Sequence, residues 1–167
     1  MEVILDDITK LKVDAIINAA NTSLLGGSGV DGAIHRAAGS ELVDECRSLG
    51  GCKVGDAKLT KGYRLPARFI IHTVGPVWRG GNHGEQELLA RCYRKCMQIA
   101  ADKEFDTLAF PCISTGIYKY PKDIAAKLAV KICAEQLQKN GRPQRVIFCC
   151  YDQENYEIYE KILLEYT

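Results

Sequence analysis

An acidic and a basic side chain lie four residues apart in the stretch LLGGSGVDGAIHRAAG, which covers residues 24–39. The acid is Asp31 and the base is His35, and this spacing places both side chains on one face of a helix. A carboxylate held there can orient or deprotonate a water molecule, with the imidazole helping to fix the geometry. An Asp at a helix start is also a common cap, so the pair alone leaves catalysis and capping both open.

The glycines that precede this pair predict a backbone cradle for an anion. Gly26, Gly27 and Gly29 can adopt positive φ and let a ligand approach without a Cβ in the way. The helix N-terminus that follows favours negative charge through its unpaired N–H groups and its dipole. Gly27, Gly29 and Gly32 also match the spacing GxGxxG, but no strand directly precedes them, and the ATPase pattern GxxxxGK[ST] is absent. We therefore expect neither a Rossmann site nor a P-loop.

A second candidate loop is FPCISTGIYKYP, at residues 110–121, between a short apolar run and a helical pattern. The N–H groups and hydroxyls of Ser114, Thr115 and Gly116 can line another anion site. Neither loop core, GGSG or ISTGI, contains Lys or Arg. A diphosphate between the two loops would therefore be bound by backbone amides and hydroxyls rather than by ion pairs.

The elements that must position these loops follow from the hydrophobic pattern. Strands are predicted where short runs are rich in Val, Ile and Phe, at residues 3–5, 15–18, 57–60, 68–74, 107–110 and 145–151. Several of these runs lack a two-residue alternation, which indicates strands buried on both faces. Helical patterns separate the strands, and this order favours a three-layer α/β/α fold with a mostly parallel sheet. Ligands of such folds bind at the carboxyl ends of the strands, where both loops lie.

Two of the predicted helices carry boundary signals. Ser40 is expected to cap a helix that Gly50 ends. Pro121 is expected to start a helix whose Ile124, Leu128 and Ile132 recur every four residues as one apolar stripe.

Composition bounds the class of protein. The 167 residues, of which 47% are hydrophobic and 26% charged, predict one domain spanning residues 1–167. No apolar run reaches the roughly 20 residues that a membrane helix needs. The start MEVILDDITK lacks the basic segment typical of a signal peptide, so we expect a cytoplasmic protein. A net charge of +1 supports neither nucleic acid nor an anionic membrane as a partner.

The eight cysteines do not form a metal-binding pattern. No CxxC occurs and no His lies at ligand spacing from a Cys, although Cys92 and Cys96 lie four apart on a predicted helix and could support a disulfide or a metal. We expect reduced cysteines acting as small core residues, and neither a metal nor a cofactor. His72, within an apolar run, is expected to be a hydrogen-bonded core residue, and His83, in a glycine-rich segment, an exposed one.

Taken together, five segments resemble the macrodomain family, and within it the MacroD-type branch that hydrolyses ADP-ribose conjugates. In the family's order and over nearly the whole chain, they lie at residues 6–39, 55–76, 89–94, 109–121 and 146–159. The combination of NAAN, the glycine loop with VDGAIH, and ISTGIY is more specific than any one motif. The resemblance implies a mixed, mostly parallel sheet between helices, with a cleft for ADP-ribose across the strand ends.

The resemblance also implies a role for each residue that matches the family's motifs. Asp7 would accept a hydrogen bond from the adenine amino group, assisted by the N–H of Ile8. Tyr151 would stack on adenine and Tyr118 would pack on the distal ribose, although tyrosines at such positions are more often core residues. The other implied binding residues belong to the two loops: Gly26, Gly27, Ser28, Gly29, Val30, Ser114, Thr115, Gly116 and Ile117.

The resemblance assigns catalysis to Asn21, Asp31 and His35. Asn21 would donate to the hydroxyls of the distal ribose, Asp31 would position or activate a water, and His35 would help to fix that geometry. The implied reaction is hydrolysis of an ester at the distal ribose, on mono-ADP-ribosyl Asp or Glu of proteins or on O-acetyl-ADP-ribose. Two alternatives stay open: a ligand phosphate activates the water, or the protein is a non-catalytic reader of ADP-ribose and ADP-ribosylated proteins. A monomer is the default expectation.

Three positions depart from the family's pattern. Ser28 stands where a fourth glycine is usual, Asp6 replaces the glycine before DIT, and Lys119 replaces the glycine after STGIY. Lys119 would either cost about 1 kcal/mol in a left-handed backbone or place a cation near the cleft. One branch of the family carries a zinc site near the catalytic loop, but the cysteines of this chain do not lie in that loop.

Overall fold

The computed structural model describes residues 1–166 and has a six-stranded sheet at its centre. The strands are β1 Glu2–Leu5, β2 Ala15–Ala19, β3 Ala57–Lys61, β4 Phe69–Thr73, β5 Thr107–Phe110 and β6 Arg145–Cys150. Their order across the sheet is β1-β6-β5-β2-β4-β3. Neighbouring strands run parallel except for β3 with β4, so the prediction of a mixed, mostly parallel sheet is confirmed.

Within residues 1–166, five α-helices cover the two faces of this sheet. They are α1 Gly29–Ala38, α2 Ser40–Leu49, α3 Glu85–Asp102, α4 Lys122–Asn140 and α5 Gln153–Leu163. Short 3-10 helices follow β1 and α5, at Ile8–Lys10 and Leu164–Tyr166. Helices α1 and α2 pack on one face and α3, α4 and α5 on the other, which is the predicted three-layer arrangement.

The central strands are buried on both faces because neighbouring residues belong to different hydrophobic clusters. Ile16 and Ile70 pack in the cluster under α1 and α2, whereas Ile17 and Ile71 pack in the cluster under α3, α4 and α5. All four side chains are fully buried. This double burial explains why these runs show no alternation of polar and apolar residues.

Two predicted details of the helices are wrong. Ser40 is the first residue of α2 and not its cap; the N-cap is Gly39, whose φ of 91° turns the chain between α1 and α2. Ile124 is 50% exposed. Helix α4 instead buries a face of mostly small residues, which allows close packing against α3. That face consists of Ala125, Ala126, Ala129, Val130, Ile132 and Cys133. Gly50 ends α2 in the left-handed conformation, as predicted.

The strand order brings the two predicted loops to one edge of the sheet. The first loop, residues 20–28, joins β2 to α1, and the second loop, residues 111–121, joins β5 to α4. Strands β2 and β5 are neighbours, and β6, which ends just before Tyr151, pairs with β5. No helix within residues 1–166 combines the length and the apolar character needed to cross a bilayer.

Candidate active site

A cleft of about 530 Å³ lies between the first loop and the second loop, at the carboxyl edge of the sheet. Most of the predicted site residues line this cleft: Asn21, Gly27, Ser28, Gly29, Val30, Asp31, Ser114, Thr115, Gly116, Ile117, Tyr118 and Tyr151. Asp7, Ile8, Gly26 and His35 are not among its lining residues. The fold therefore brings together the two glycine-containing loops and Asp31, which are far apart in the sequence.

Asn21 folds the first loop onto itself. Its Oδ1 accepts hydrogen bonds from the N–H groups of Ser23 and Leu24, at 3.1 and 3.2 Å, and from Ser23 Oγ at 2.6 Å. Its Nδ2 donates to the carbonyl oxygen of Gly26 at 2.9 Å. An amide carries two N–H donors. Among residues 1–166 no acceptor takes the second one, so it is available to a ligand in the cleft.

The glycines of the first loop serve two different purposes. Gly26 and Gly29 adopt positive φ, 97° and 61°, as predicted. Gly27 does not, but a Cβ at Gly27 would lie 3.0 Å from Asp31 Oδ2 and 3.3 Å from Asn21 Nδ2. Glycine is therefore needed at position 27 because the side chains of Asp31 and Asn21 lie so close to its backbone. The Asp31 carboxylate and the Asn21 amide border the same small space.

Asp31 lies in the first turn of α1 and is only 4% exposed. Its Oδ1 accepts a hydrogen bond from Asn18 Nδ2 at 2.9 Å. His35 Nε2 is 3.5 Å from the same oxygen, and within residues 1–166 this nitrogen makes no hydrogen bond. Burial raises the pKa of Asp31, whereas the Asn18 hydrogen bond and the charge of His35 act to lower it. A raised pKa makes the ionised carboxylate a better proton acceptor.

A row of buried polar side chains lies behind Asp31. Asn18 Nδ2 is 3.1 Å from His72 Nδ1, and His72 Nε2 is 2.8 Å from Thr60 Oγ1. His72 is fully buried and hydrogen-bonded, as predicted. Burial, and to a smaller degree the charge of His35, lower the pKa of His72 to about 3. The ring is therefore neutral at physiological pH. Sequence reasoning missed Asn18 and Thr60, and the first Asn of NAAN was the one available signal.

The second loop is a turn with two left-handed residues. Ser114 and Lys119 have positive φ, 67° and 61°. The Tyr120 N–H donates to the Ser114 carbonyl oxygen at 2.9 Å, and the Trp78 N–H donates to the Tyr118 carbonyl oxygen at 2.8 Å. Of the two alternatives for Lys119, the left-handed backbone is the one observed, and Lys119 does not line the cleft.

The far end of the cleft is built by the start of α5. Tyr151 follows β6 and is 87% exposed, so it is not a core tyrosine. Asp152 caps α5 by accepting the Asn155 N–H at 2.8 Å, and this bond lowers the pKa of Asp152. Lys122 and Glu154 form an ion pair at 2.7 Å. Lys122, Asp152 and Asn155 line the cleft but were not predicted, although Asp152 shows the pattern of a helix cap.

Asp7 and Ile8 follow β1, which pairs with β6. Asp7 Oδ1 accepts hydrogen bonds from the Thr9 N–H at 3.0 Å and from Thr9 Oγ1 at 2.7 Å, and the bond to the hydroxyl lowers the pKa of Asp7. Asp7 therefore caps the 3-10 helix, and Ile8 is buried. Their contact with adenine stays a prediction.

The eight cysteines are free thiols. Cys112 Sγ and Cys150 Sγ lie 3.8 Å apart, and this contact together with burial raises the pKa of Cys112 far above its usual range, which keeps the thiol protonated. No group of three or more candidate metal ligands occurs within residues 1–166. His83 is exposed, as predicted.

Several curated proteins are similar to this chain over most of its length. A macro domain-containing protein of Mesorhizobium japonicum is 63% identical over 153 residues, which cover 92% of this chain and 87% of that protein. An O-acetyl-ADP-ribose deacetylase of Salmonella newport is 49% identical over 169 residues, covering 99% of this chain and 94% of that protein. The ADP-ribose glycohydrolase MACROD2 of Xenopus laevis is 54% identical over 164 residues, covering 96% of this chain and 39% of that protein.

Solved structures show the same fold. A mutant macrodomain of Oceanobacillus iheyensis with ADPR superposes with a TM-score of 0.94 at 41% identity, covering 98% of this chain and 91% of that chain. The Trypanosoma brucei macrodomain in complex with ADP-ribose superposes with a TM-score of 0.90 at 42% identity, covering 96% of this chain and 68% of that chain. The family model of the Macro domain matches residues 17–129, which include both loops of the cleft. The chain therefore belongs to the macro domain family.

Proposed function

We propose that this protein binds ADP-ribose and hydrolyses ester-linked ADP-ribose conjugates, namely mono-ADP-ribosyl Asp or Glu on proteins and O-acetyl-ADP-ribose. The observation that carries the proposal is the position of Asp31 Oδ2 and Asn21 Nδ2, which border one small space at Gly27. A carboxylate and an amide donor at one point of a cleft suit a water molecule and a ribose hydroxyl. The names of the Salmonella and Xenopus relatives agree with this class of reaction.

The diphosphate would lie between the two loops. Ser28 precedes α1 and its hydroxyl makes no capping hydrogen bond within residues 1–166, so the hydroxyl and the first N–H groups of the helix are available to phosphate oxygens. Gly116 lines the opposite side of the cleft, with open space around its Cα. Backbone donors thus replace the Lys and Arg that the loop cores GGSG and ISTGI lack.

The ends of the cleft suit the two ends of the ligand. The exposed ring of Tyr151 offers a stacking surface for adenine, with Asp7 as the acceptor for its amino group. The distal ribose would lie at Asn21 and Asp31, with Tyr118 packed against it. In this orientation we expect the acyl group on the ribose to face solvent, so that it can belong to a side chain of a modified protein.

The reaction would begin when a water held by Asp31 attacks the ester carbonyl carbon. The bond from this carbon to the ribose oxygen then breaks, the ribose oxygen takes up a proton, and ADP-ribose and a carboxylic acid are released. The proton of the attacking water goes first to Asp31 or to a phosphate oxygen of the ligand, and that group then gives it to the ribose oxygen. If Asp31 accepts it, turnover falls as the pH drops through the raised pKa of Asp31.

The test compares the parent protein with Asp31→Asn, which keeps the shape of the side chain but removes the charge. Calorimetry first establishes that both proteins bind ADP-ribose, and release of ADP-ribose from both ester substrates is then measured. We expect the parent to turn over and Asp31→Asn to lose at least about 10²-fold in kcat. Asp123→Asn is the matched control, because Asp123 lies in the first turn of α4 but is exposed. Binding without turnover by the parent would contradict the proposal.

A reader without catalysis is the second candidate. The observation that favours it is the deep burial of Asp31, together with an Asn21 amide that already holds the first loop. In that case ADP-ribosylated proteins would bind and stay modified. The experiment above separates the two functions, since both predict binding but only one predicts release of ADP-ribose.

A further inference from the structure

A buried chain of hydrogen bonds runs from strand β3 to the carboxylate of Asp31. Thr60 Oγ1 lies 2.8 Å from His72 Nε2, and His72 Nδ1 lies 3.1 Å from Asn18 Nδ2. Asn18 Nδ2 in turn lies 2.9 Å from Asp31 Oδ1. All of these side chains are buried, and three different strands and one helix contribute them.

Donor and acceptor chemistry fixes the place of each hydrogen in this chain. Asn18 Nδ2 can only donate, so His72 Nδ1 accepts from it; Thr60 Oγ1, which lies 3.2 Å from the carbonyl oxygen of Lys61, can then accept from His72 Nε2 and donate its own hydrogen to that carbonyl. The neutral His72 ring therefore carries its hydrogen on Nε2 and accepts at Nδ1. Asn18 Nδ2 uses one hydrogen for His72 Nδ1 and the other for Asp31 Oδ1.

The orientation of the Asn18 amide is set by its neighbours and not by its own oxygen. Within residues 1–166, Asn18 Oδ1 is buried and accepts no hydrogen bond, which is unfavourable for stability. The reversed amide would point Oδ1 at both the carboxylate and the unprotonated His72 Nδ1. The observed orientation is thus the one that matches a neutral His72 with its hydrogen on Nε2.

We propose that Thr60 and His72 are positioning residues for the hydrolysis: they hold the Asn18 amide so that Asp31 stays ionised, with Oδ1 occupied and Oδ2 left for water. This inference rests on the proposed function. Asp31 Oδ2 is the oxygen that borders the space at Gly27. If the His72 hydrogen moved to Nδ1, the Asn18 amide would reverse and its oxygen would face the carboxylate. Ionisation of Asp31 would then be disfavoured.

Among residues 1–166, His35 and Cys46 are titratable groups that interact with Asp31 from outside this chain of hydrogen bonds. His35 faces it from its own helix α1, Cys46 faces it from α2, and His72 stands behind Asn18 on β4, with its ring centroid 6.4 Å from that of His35. Burial raises the pKa of Cys46 to about 11, so this thiol does not change charge near neutral pH. A titration in Asp31 can therefore be separated from that of Cys46.

The first measurement is nitrogen-15 NMR of histidine-labelled parent protein, which reports the protonated ring nitrogen directly. We expect His72 to carry its hydrogen on Nε2 and to remain neutral through pH 5. The second measurement is carbon-13 NMR of the Asp31 carboxyl, in the parent and in Thr60→Val. Valine removes the acceptor for His72 Nε2 while keeping a branched side chain of similar size, so we expect the hydrogen to move to Nδ1 and the Asp31 pKa to rise.

Turnover gives the functional readout. Thr60→Val should lower kcat by about tenfold, with KM changed less than about twofold, and should shift the acidic limb of the kcat profile to higher pH. Thr60→Ser should restore the parent tautomer and profile. Thr73→Val is the matched control, because Thr73 is a buried residue of the same sheet whose hydroxyl donates to the Asp56 carbonyl oxygen at 2.8 Å, outside the chain.

The outcomes separate this inference from the proposed function. A parent without turnover removes the hydrolase, but the two NMR measurements still decide whether the chain sets the charge of Asp31. His72 with its hydrogen on Nδ1 in the parent overturns the inference even if Thr60→Val does not fold. An unchanged Asp31 pKa in a folded Thr60→Val also overturns it, since the chain would then serve packing alone.

Discussion

Gly27 and Asp31 are so close that a Cβ at Gly27 would lie 3.0 Å from Asp31 Oδ2. The same Cβ would lie 3.3 Å from Asn21 Nδ2, so the absent side chain leaves room beside both polar atoms. In this space the carboxylate and the amide can act on the same ligand atom. Its size depends on a residue that carries no functional group of its own.

Gly27→Ala should therefore reduce turnover more than binding. The added methyl group would displace the Asp31 carboxylate or the water beside it, and we expect kcat to fall by about 10- to 100-fold. Calorimetry with ADP-ribose and the rate of ester hydrolysis check this. Gly116→Ala is the comparison, since Gly116 lines the phosphate side of the cleft and a Cβ there meets no protein atom within 4 Å, so an effect of this variant should appear in ADP-ribose binding and not in kcat. Parental kcat in Gly27→Ala would show that the space is not used.

Tyr151→Ala should weaken ADP-ribose binding without destabilising the fold. The ring is almost fully exposed, so little packing is lost, whereas stacking on a base contributes about 1–3 kcal/mol. We expect a Kd larger by about 5- to 150-fold and an unchanged Tm. Tyr151→Phe retains the stacking surface and should bind like the parent. Equal affinities of the alanine variant and the parent would mean that adenine lies elsewhere.

Lys119→Gly should stabilise the protein. Lys119 has a φ of 61°, where a side chain is strained and glycine is not, and relief of this strain is worth about 1 kcal/mol. For a chain of this length the Tm should rise by about 2–4 °C. Lys119→Ala keeps the Cβ and should give no such gain. Urea denaturation of the three proteins distinguishes backbone strain from an effect of the lysine charge.

Glu85 should make the stability of the loop before α3 depend on pH. Its carboxylate accepts the N–H groups of Arg79, Gly81 and His83, at 2.9, 2.8 and 2.6 Å. Burial opposes ionisation, but these hydrogen bonds outweigh it and lower the pKa of Glu85 to about 2. Because the pKa of Glu85 is lower in the folded state than the usual glutamate value of 4.5, the stabilisation is complete above that value and is lost as the pH falls toward 2.

The corresponding variant is Glu85→Gln. We expect it to unfold at lower urea than the parent at pH 7, with the difference shrinking as the pH approaches 2. Glu87→Gln serves as the comparison, because Glu87 lies on the same turn with its side chain 68% exposed. A difference between the parent and Glu85→Gln that stays constant with pH would exclude the carboxylate as its source.

The strands and both cleft loops were predictable because their signals are local. Runs such as the one containing Ile16 and Ile17 show by composition that they are buried, and Gly26 and Gly29 mark positive φ by residue type. The predictions of the α2 cap and of the buried face of α4 were wrong because local signals compete there. Ser40 is a residue type that often caps helices. However, α1 ends at Ala38 and α2 begins at Ser40, so the one residue between them, Gly39, takes the N-cap position. Ile124 fits an apolar stripe, but α4 packs through its alanines.

The sequence by itself determined the order of the elements, the loops of the cleft and the residue types at its centre, because periodicity, glycine and short motifs act within one segment. Only the tertiary structure decided that Asn18, His72 and Thr60 stand behind Asp31. These residues belong to separate strands, and their contacts exist because β2 pairs with β4 in parallel and β4 pairs with β3 in the opposite direction. A buried hydrogen bond depends on that pairing register, which no single segment encodes.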